Sequence, residues 1–154
     1  MTSPDAGPAT AVTDSSQADS TSRIRFVETR TRKAQTGLCH ADVELERLDG
    51  GRVIGSRSGQ PSAMGMIRVA AEAAVEALHQ AVTGDQRFEL VGVKTVRAFD
   101  QTVVLVLLTT RTSRGLVRLV GAAVGDSADE ADVSRAAALA VLNASNRVLS
   151  RNPA

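Results

Sequence analysis

Aromatic side chains are almost missing from this sequence: its 154 residues include three Phe and neither Trp nor Tyr. Proteins that bind single-stranded nucleic acid commonly stack its bases on aromatic rings, so this mode of recognition is disfavoured. The scarcity also requires a core of aliphatic residues and alanine, which is available because 43% of the chain is hydrophobic. A chain of this length and composition is expected to form one globular domain.

Cysteine and histidine are equally scarce. Cys39 is the single cysteine, which excludes an intrachain disulfide and a multi-cysteine metal site, and we expect no metal or other cofactor. Cys39 and His40 are neighbours on a predicted strand, so they point to opposite faces and cannot form a nucleophile–base pair. We therefore predict that the protein is not an enzyme. Cys39 is expected to be a small buried side chain and His79 a solvated one on the polar side of a helix.

The sequence also lacks the long apolar segments of membrane and secreted proteins. No run approaches the roughly 18 apolar residues of a membrane-spanning helix, and residues 1–22 have neither the basic nor the apolar region of a signal peptide. Residues 1–22 are instead rich in Ser, Thr, Ala, Pro and Asp, a composition that cannot offset the entropy lost on ordering. We predict a disordered N-terminal tail over residues 1–22 and a cytoplasmic domain over residues 23–152 that contacts no membrane.

What the sequence does contain is an internal repeat, which aligns two halves of the domain without a gap at an offset of 66 residues. The matched pairs include Val27 with Val93, Gln35 with Gln101, Gly55 with Gly121, Gly59 with Gly125 and Ala74 with Ala140. Turn glycines and helical alanines are both matched, which indicates two copies of one structural unit. The alignment places repeat 1 at about residues 23–83 and repeat 2 at about residues 87–150.

Each repeat has the periodicity of three strands followed by one helix. The predicted strands cover residues 23–32, 41–46, 52–57, 87–99, 102–112 and 115–124, and the helices follow Pro61 and begin at about residue 128. A capping box of Ser127 and Glu130 is expected to start the second helix. The sequence therefore predicts an α+β fold, a tandem βββα repeat in which each antiparallel sheet is covered by one helix.

Two features of repeat 2 predict surfaces that need a covering partner. The unbroken apolar run Val103–Leu108 is typical of a strand that is covered on both faces. The second helix is apolar on two sides, since Leu142 and Leu149 lie nearly opposite Val133, and such a helix packs against the neighbouring helix or a second subunit. Because helices on one side of a sheet leave its other face bare, we predict a homodimer.

The second helix resembles the last helix of the regulatory domain of 2-isopropylmalate synthases and citramalate synthases. The residues that carry the resemblance are Asp132, Val133, Ala136, Ala138, Ala140, Leu142, Asn143, Ala144, Asn146 and Arg147. The regulatory domain of that family is also made of two strand-strand-strand-helix units, so the resemblance implies the architecture of about residues 24–149. It further implies a domain that binds an end-product amino acid at a dimer interface and regulates a catalytic barrel.

The sequence departs from that family just before the first helix. The family has a G-x-G-P segment followed by an acidic residue, whereas this chain has Gly59, Gln60, Pro61, Ser62 and Ala63, without the second glycine and the acid. The residues ahead of the predicted domain are too few to form a catalytic barrel. Regulation is therefore expected to act on a separate effector protein.

The turns that lead into the two helices are the best candidate ligand-binding positions, because the free N–H groups and the dipole of a helix N-terminus favour an anion. The candidate ligand-binding residues are Arg57, Ser58, Gly59, Ser62, Gly125 and Ser127. The arginine and the hydroxyls are donors that suit a carboxylate or a phosphate. Ordinary strand-to-helix turns also use such glycines, so a purely structural interpretation stays open.

These observations predict a non-catalytic regulatory domain that senses a small carboxylated or phosphorylated metabolite, either an amino acid or a nucleotide-like molecule. The alternative is a structural or adaptor domain that binds proteins through its bare sheet face. Nucleic-acid binding is a third and less favoured function, because the formal net charge is only +1. The basic stretch for that third function is Arg23, Arg25, Arg30, Arg32 and Lys33.

Overall fold

A computed structural model describes residues 24–82 and 84–149 of the chain. The elements in chain order are β1 (Arg25–Lys33), β2 (Cys39–Glu46), β3 (Arg52–Gly59), α1 (Ala63–Ala81), β4 (Phe88–Ala98), β5 (Gln101–Thr112), β6 (Gly115–Asp126) and α2 (Glu130–Leu149). This order confirms the predicted α+β fold with a tandem βββα repeat. The predicted disordered tail over residues 1–22 lies outside the described residues.

The strands form two antiparallel sheets, sheet 1 with the order β1-β2-β3 and sheet 2 with the order β4-β5-β6. The alternation predicted for β2 is confirmed, since Ala41, Val43 and Leu45 are fully buried and the residues between them are not. In β5 the side chains of Val104 and Leu108 are also fully buried against the helices. The other face of β5 is only half-buried, so the prediction that the chain covers both faces of β5 is wrong for the single chain.

Both helices are buried on nearly all sides, which places the helix pair between the two sheets. The helix α1 packs against β2 and β3 of its own sheet, against α2, and against β4 of the other sheet. The helix α2 packs in the same way against β5, β6 and β1. Each helix is therefore shared by both sheets, and Leu142 on the second apolar side of α2 is only 4% exposed. Neither described helix combines the length and apolarity needed to cross a bilayer.

Glycine allows the third strand of each repeat to approach its helix closely. A Cβ atom on Gly55 would overlap the backbone of Ala73, and a Cβ atom on Gly121 would overlap the backbone of Ala140. These two contacts are related by the predicted offset of 66 residues, which is thus confirmed for the third strands and the helices.

The gap-free alignment is wrong for the first two strands of each repeat. The extra residue of a β-bulge is Val27 in β1 and Val91 in β4, so Val27 is structurally equivalent to Val91 and not to Val93. Residues 34–38 connect β1 to β2, whereas two residues, 99 and 100, connect β4 to β5. The shorter connection shifts the alignment, because both residues of the tight turn adopt positive φ and reverse the chain at once.

The N-cap of α2 also differs from the prediction. The carboxylate of Asp129 accepts hydrogen bonds from the backbone N–H groups of Ala131 at 3.0 Å and Asp132 at 3.4 Å. The hydroxyl of Ser127 lies instead 2.8 Å from that of Thr102. The predicted capping box of Ser127 and Glu130 is therefore wrong, because Asp129 directly precedes the helix and binds its first N–H groups.

Candidate functional site

A cavity of about 400 Å³ lies where the N-terminal turns of both helices meet β4 and β5. Its volume is in the range of sites that hold small molecules. The apolar part of its lining comes from both helices and consists of Met64, Met66, Ile67 and Val133. Because both helices point their N-termini at this place, their dipoles add a positive potential to an otherwise apolar cavity.

Two charged side chains of opposite sign line this cavity. Arg97 extends from β4, and Glu130 belongs to the first turn of α2. Both residues are exposed, and neither forms an ion pair with any other described residue. The cavity can therefore offer a guanidinium group and a carboxylate to a ligand without breaking an existing salt bridge.

Three hydroxyl groups complete the polar part of the lining. Thr102 and Ser127 are bonded to one another at 2.8 Å. Ser134 is fully buried, yet its hydroxyl has no hydrogen-bond partner among the described residues. An unpaired buried hydroxyl costs about 1–3 kcal/mol. The Ser134 hydroxyl is therefore the feature of this cavity that the packing of the chain does not explain.

The six predicted ligand-binding residues do not form one cluster. Arg57 lies at an ion-pair distance of 3.8 Å from Glu76 on α1. Ser58 lies on the outer face of sheet 1, and Ser62 is the N-cap of α1, where its hydroxyl accepts a hydrogen bond from the N–H of Gly65. These positions leave Arg57 and Ser58 on opposite faces of β3.

The remaining predicted residues lie closer to the cavity. Gly59 and Gly125 lie where their strands pass close to Val69 of α1 and Val133 of α2, respectively. Ser127 alone among the six lines the cavity. The prediction located the helix N-termini, while Arg97 and Ser134 were missed. A serine among the alanines and valines of an apolar helix face was the available signal for Ser134.

A second polar cluster, on the outer face of sheet 1, was not predicted either. His40 Nδ1 lies 2.8 Å from Ser58 Oγ, and His40 Nε2 lies 3.1 Å from Asp42 Oδ1. Ser56 Oγ donates to the same Asp42 oxygen at 2.5 Å. The Ser56 hydrogen bond, followed by the hydrogen bond and the charge of His40, lowers the pKa of Asp42 below its ordinary value.

The order serine, histidine, aspartate is also that of a hydrolase triad, which needs a pocket and donors for an oxyanion as well. Ser58 lies on an open sheet face and does not line the cavity at the helix N-termini. His40 pairs across the strands with Arg32 of β1 and Ser58 of β3. We interpret the cluster as a cross-strand polar network that stabilises the register of sheet 1.

The basic stretch on β1 is largely neutralised by its neighbours. Arg25, Arg30 and Arg32 each form an ion pair with a carboxylate of β2, at 3.7, 3.6 and 3.3 Å. Arg23 lies outside the described residues. Carboxylates that compete with phosphates on the same strand pair give no support to nucleic-acid binding on this face.

Cys39 is fully buried, and its thiol donates to the backbone carbonyl of Gln60 at 2.9 Å, which confirms its prediction as a small buried side chain. Within residues 24–82 and 84–149, no group of three or more His, Cys, Asp or Glu side chains is arranged to hold a metal ion. The absence of a cofactor stays a prediction.

The prediction that His79 is solvated is wrong. Its Nε2 atom accepts a hydrogen bond from the backbone N–H of Phe88 at 3.0 Å, which ties α1 to the start of β4. Burial lowers the pKa of His79 below its ordinary value of 6.5. The neutral ring is therefore the form that the folded protein favours.

We expect the free energy of unfolding to decrease as the pH falls below 6.5. Above that pH His79 is neutral in both states and contributes no pH dependence. Below it the unfolded chain takes up a proton more readily than the folded one, so protonation favours unfolding. Urea denaturation at pH 7.5 and 5.5 measures the difference, which His79→Gln should reduce and His40→Gln should retain. Equal pH dependence in wild type and His79→Gln would contradict this assignment.

No protein-family model matches this chain, and no curated protein matches it. The order of its strands and helices agrees with the two units that the resemblance to the synthase regulatory domain implies. Membership of that family is not shown by this agreement and stays a prediction. The residues of the cavity are the basis for the function proposed below.

Proposed function

We propose that this chain is a non-catalytic regulatory domain that senses a small carboxylated metabolite in the cavity between the helix N-termini. The observation that carries the proposal is the buried, unpaired hydroxyl of Ser134 in a cavity that also contains Arg97. A carboxylate oxygen can accept the Ser134 hydrogen bond while the guanidinium group of Arg97 balances its charge.

The two charges favour an amino acid over a phosphorylated ligand. Arg97 suits an α-carboxylate, and Glu130 suits an α-ammonium group on the same ligand. The Glu130 carboxylate would repel the second negative charge of a phosphate. Met66, Ile67 and Val133 then provide contacts for an apolar side chain. An apolar amino acid is therefore the ligand class that we propose.

Ligand binding at this cavity can regulate because the cavity is built from both repeats. The first turn of α1 belongs to repeat 1, whereas Arg97 and the first turn of α2 belong to repeat 2. A ligand that contacts both helices stabilises one arrangement of the two repeats. The arrangement is then available to a separate effector protein, as expected for a domain without its own catalytic site.

A thermal-shift screen of amino acids tests this function. We expect an apolar amino acid to raise the melting temperature with a dose dependence, since a ligand at 100 times its Kd stabilises the folded state by about 2.7 kcal/mol. Arg97→Ala should abolish the shift. The matched control is Arg57→Ala, which removes an exposed arginine that lies outside the cavity on β3.

The functional groups of the ligand can be separated in the same screen. The amide of the active amino acid, which lacks the carboxylate, and the corresponding acid, which lacks the ammonium group, should each produce a smaller shift. The proposal is wrong if no amino acid at millimolar concentration changes the melting temperature, or if Arg57→Ala abolishes the shift and Arg97→Ala retains it.

One observation favours the adaptor function as a second candidate. The outer face of sheet 2 exposes several large apolar side chains, among them Val120 at 49% and Val124 at 57% exposure. An exposed patch of this kind commonly binds another protein. The patch lies on the side of sheet 2 that faces away from the helices, so it does not compete with a ligand for the cavity.

A further inference from the structure

The outer face of sheet 2 is apolar over three consecutive cross-strand rows. From the β4–β5 turn onward, the rows are Val96 with Val103 and Val124, Lys94 with Leu105 and Ala122, and Gly92 with Leu107 and Val120. We refer to these nine residues as the sheet 2 face. Its outer strands are well exposed, as the 45% exposure of Val96 and the 57% exposure of Val124 show.

The corresponding face of sheet 1 has the opposite character. Arg30 and Arg52 form ion pairs with Glu44 there, and Asp42 binds His40. Two repeats with the same fold thus present a charged outer face and an apolar one. Packing within the chain does not require the difference, since both outer faces point away from the helices, so it marks the sheet 2 face as a surface for a partner.

The undescribed ends of the chain are poorly suited to cover this face. Residues 1–22 contain two large apolar side chains, Met1 and Val12, and residues 150–154 contain none. The face itself is large enough for a specific interface. Three strands of about 12 residues span roughly 40 Å by 14 Å, or about 600 Å². Two such faces together give about 1,200 Å², the lower limit of a standard protein–protein interface.

Charges at the two ends of sheet 2 are complementary to one another. Asp100 and Asp126 lie at the end where β5 begins, and Arg111, Arg114 and Arg118 lie at the end where β5 finishes. If a second copy packs with its strands antiparallel to the first, each acidic end meets a basic end. If the strands run parallel, Arg111 meets Arg111 and the acidic ends meet each other, which is repulsive.

We propose that the sheet 2 face packs against the same face of a second copy, about a two-fold axis that lies between the sheets and perpendicular to their strands. Leu105 then contacts Leu107 of the second copy. Lys94 lies over Gly92 of the second copy, where no side chain obstructs it, and one row from Glu89 of that copy. Both faces of the run Val103–Leu108 are covered in this dimer.

Sedimentation velocity of the full chain tests the dimer. The wild type should sediment as a dimer of the 16.1 kDa chain at micromolar concentration. Val120→Glu places a charge in the interface and should raise the dissociation constant at least about 100-fold. Ile54→Glu is the matched control, because Ile54 is 47% exposed on the outer face of sheet 1 and should leave the dimer intact. Circular dichroism confirms that both variants are folded.

A charge swap tests the orientation. Lys94→Glu and Glu89→Lys should each weaken the dimer about 10-fold, and the double variant should restore it. A monomeric wild type at about 100 µM, a dimer lost in Ile54→Glu but kept in Val120→Glu, or a double variant weaker than both single variants would overturn the proposal. The cavity is not part of this interface, so a ligand-induced thermal shift in the Val120→Glu monomer separates failure of the dimer from failure of the proposed function.

Discussion

Gly121→Ala is expected to destabilise the domain by about 3 kcal/mol. A Cβ atom at this position would overlap the carbonyl oxygen of Ala140 and press on the backbone N of Ala144. Both are backbone atoms of α2, so no side-chain rotation relieves the overlap, and the helix must move away from β6. Gly55→Ala should have a similar effect, because a Cβ atom there would overlap the backbone of α1 at Ala73 and Ala77.

Gly92→Ala is the control for both variants. A Cβ atom on Gly92 meets nothing within 4 Å, and the residue does not have a positive φ. Its replacement should leave stability unchanged or raise it by about 0.5 kcal/mol, since alanine has less freedom in the unfolded chain. Urea unfolding at one protein concentration compares the three variants. Equal stability of Gly92→Ala and Gly121→Ala would exclude the close packing of β6 on α2.

Neither repeat is expected to fold when the chain is divided in the connection between α1 and β4. In the intact domain α1 packs against β4 as well as its own sheet, and α2 packs against β1. Each isolated half would expose one side of an apolar helix to water. A half of about 60 residues also buries too little surface to compensate. We expect each half to show no cooperative thermal transition by circular dichroism and the two halves to regain one when they are mixed.

A half that unfolds cooperatively by itself would show that each sheet and helix forms an independent unit. A divided chain in the Leu78→Ala background is a useful control for the mixed halves. Leu78 is a fully buried residue of α1, so its truncation should weaken reassociation through the loss of about 2–5 kcal/mol of packing.

The elements with strong local patterns were predictable from the sequence. Alternation along β2 and the matched glycines at positions 55 and 121 gave the repeat and the class of fold. The local competition between two acceptors was not resolved, since both Ser127 and Asp129 can cap a helix and only the backbone geometry selects Asp129. The connection before β5 was misaligned because Phe99 and Asp100 lack the usual glycine of a tight turn.

The candidate site was less predictable because tertiary packing creates it. Arg97 follows from no local motif, and it reaches the cavity because β4 lies beside the first turn of α1. Ser134 has a meaning only when its burial and its missing partner are known. Similarly, the apolar run of β5 indicated a strand covered on both faces, but it could not indicate that the second cover must come from outside the chain.

Calorimetric titration of the active amino acid into wild type, Ser134→Ala and Ser145→Ala tests the proposed site most directly. Ser145 is also fully buried, but its hydroxyl donates to the carbonyl of Leu142 at 3.2 Å, so it serves as the paired control. We predict that Ser134→Ala weakens binding by about 10-fold, as expected for the loss of one hydrogen bond to a charged group, while Ser145→Ala binds as the wild type does. Unchanged affinity in Ser134→Ala would contradict the account.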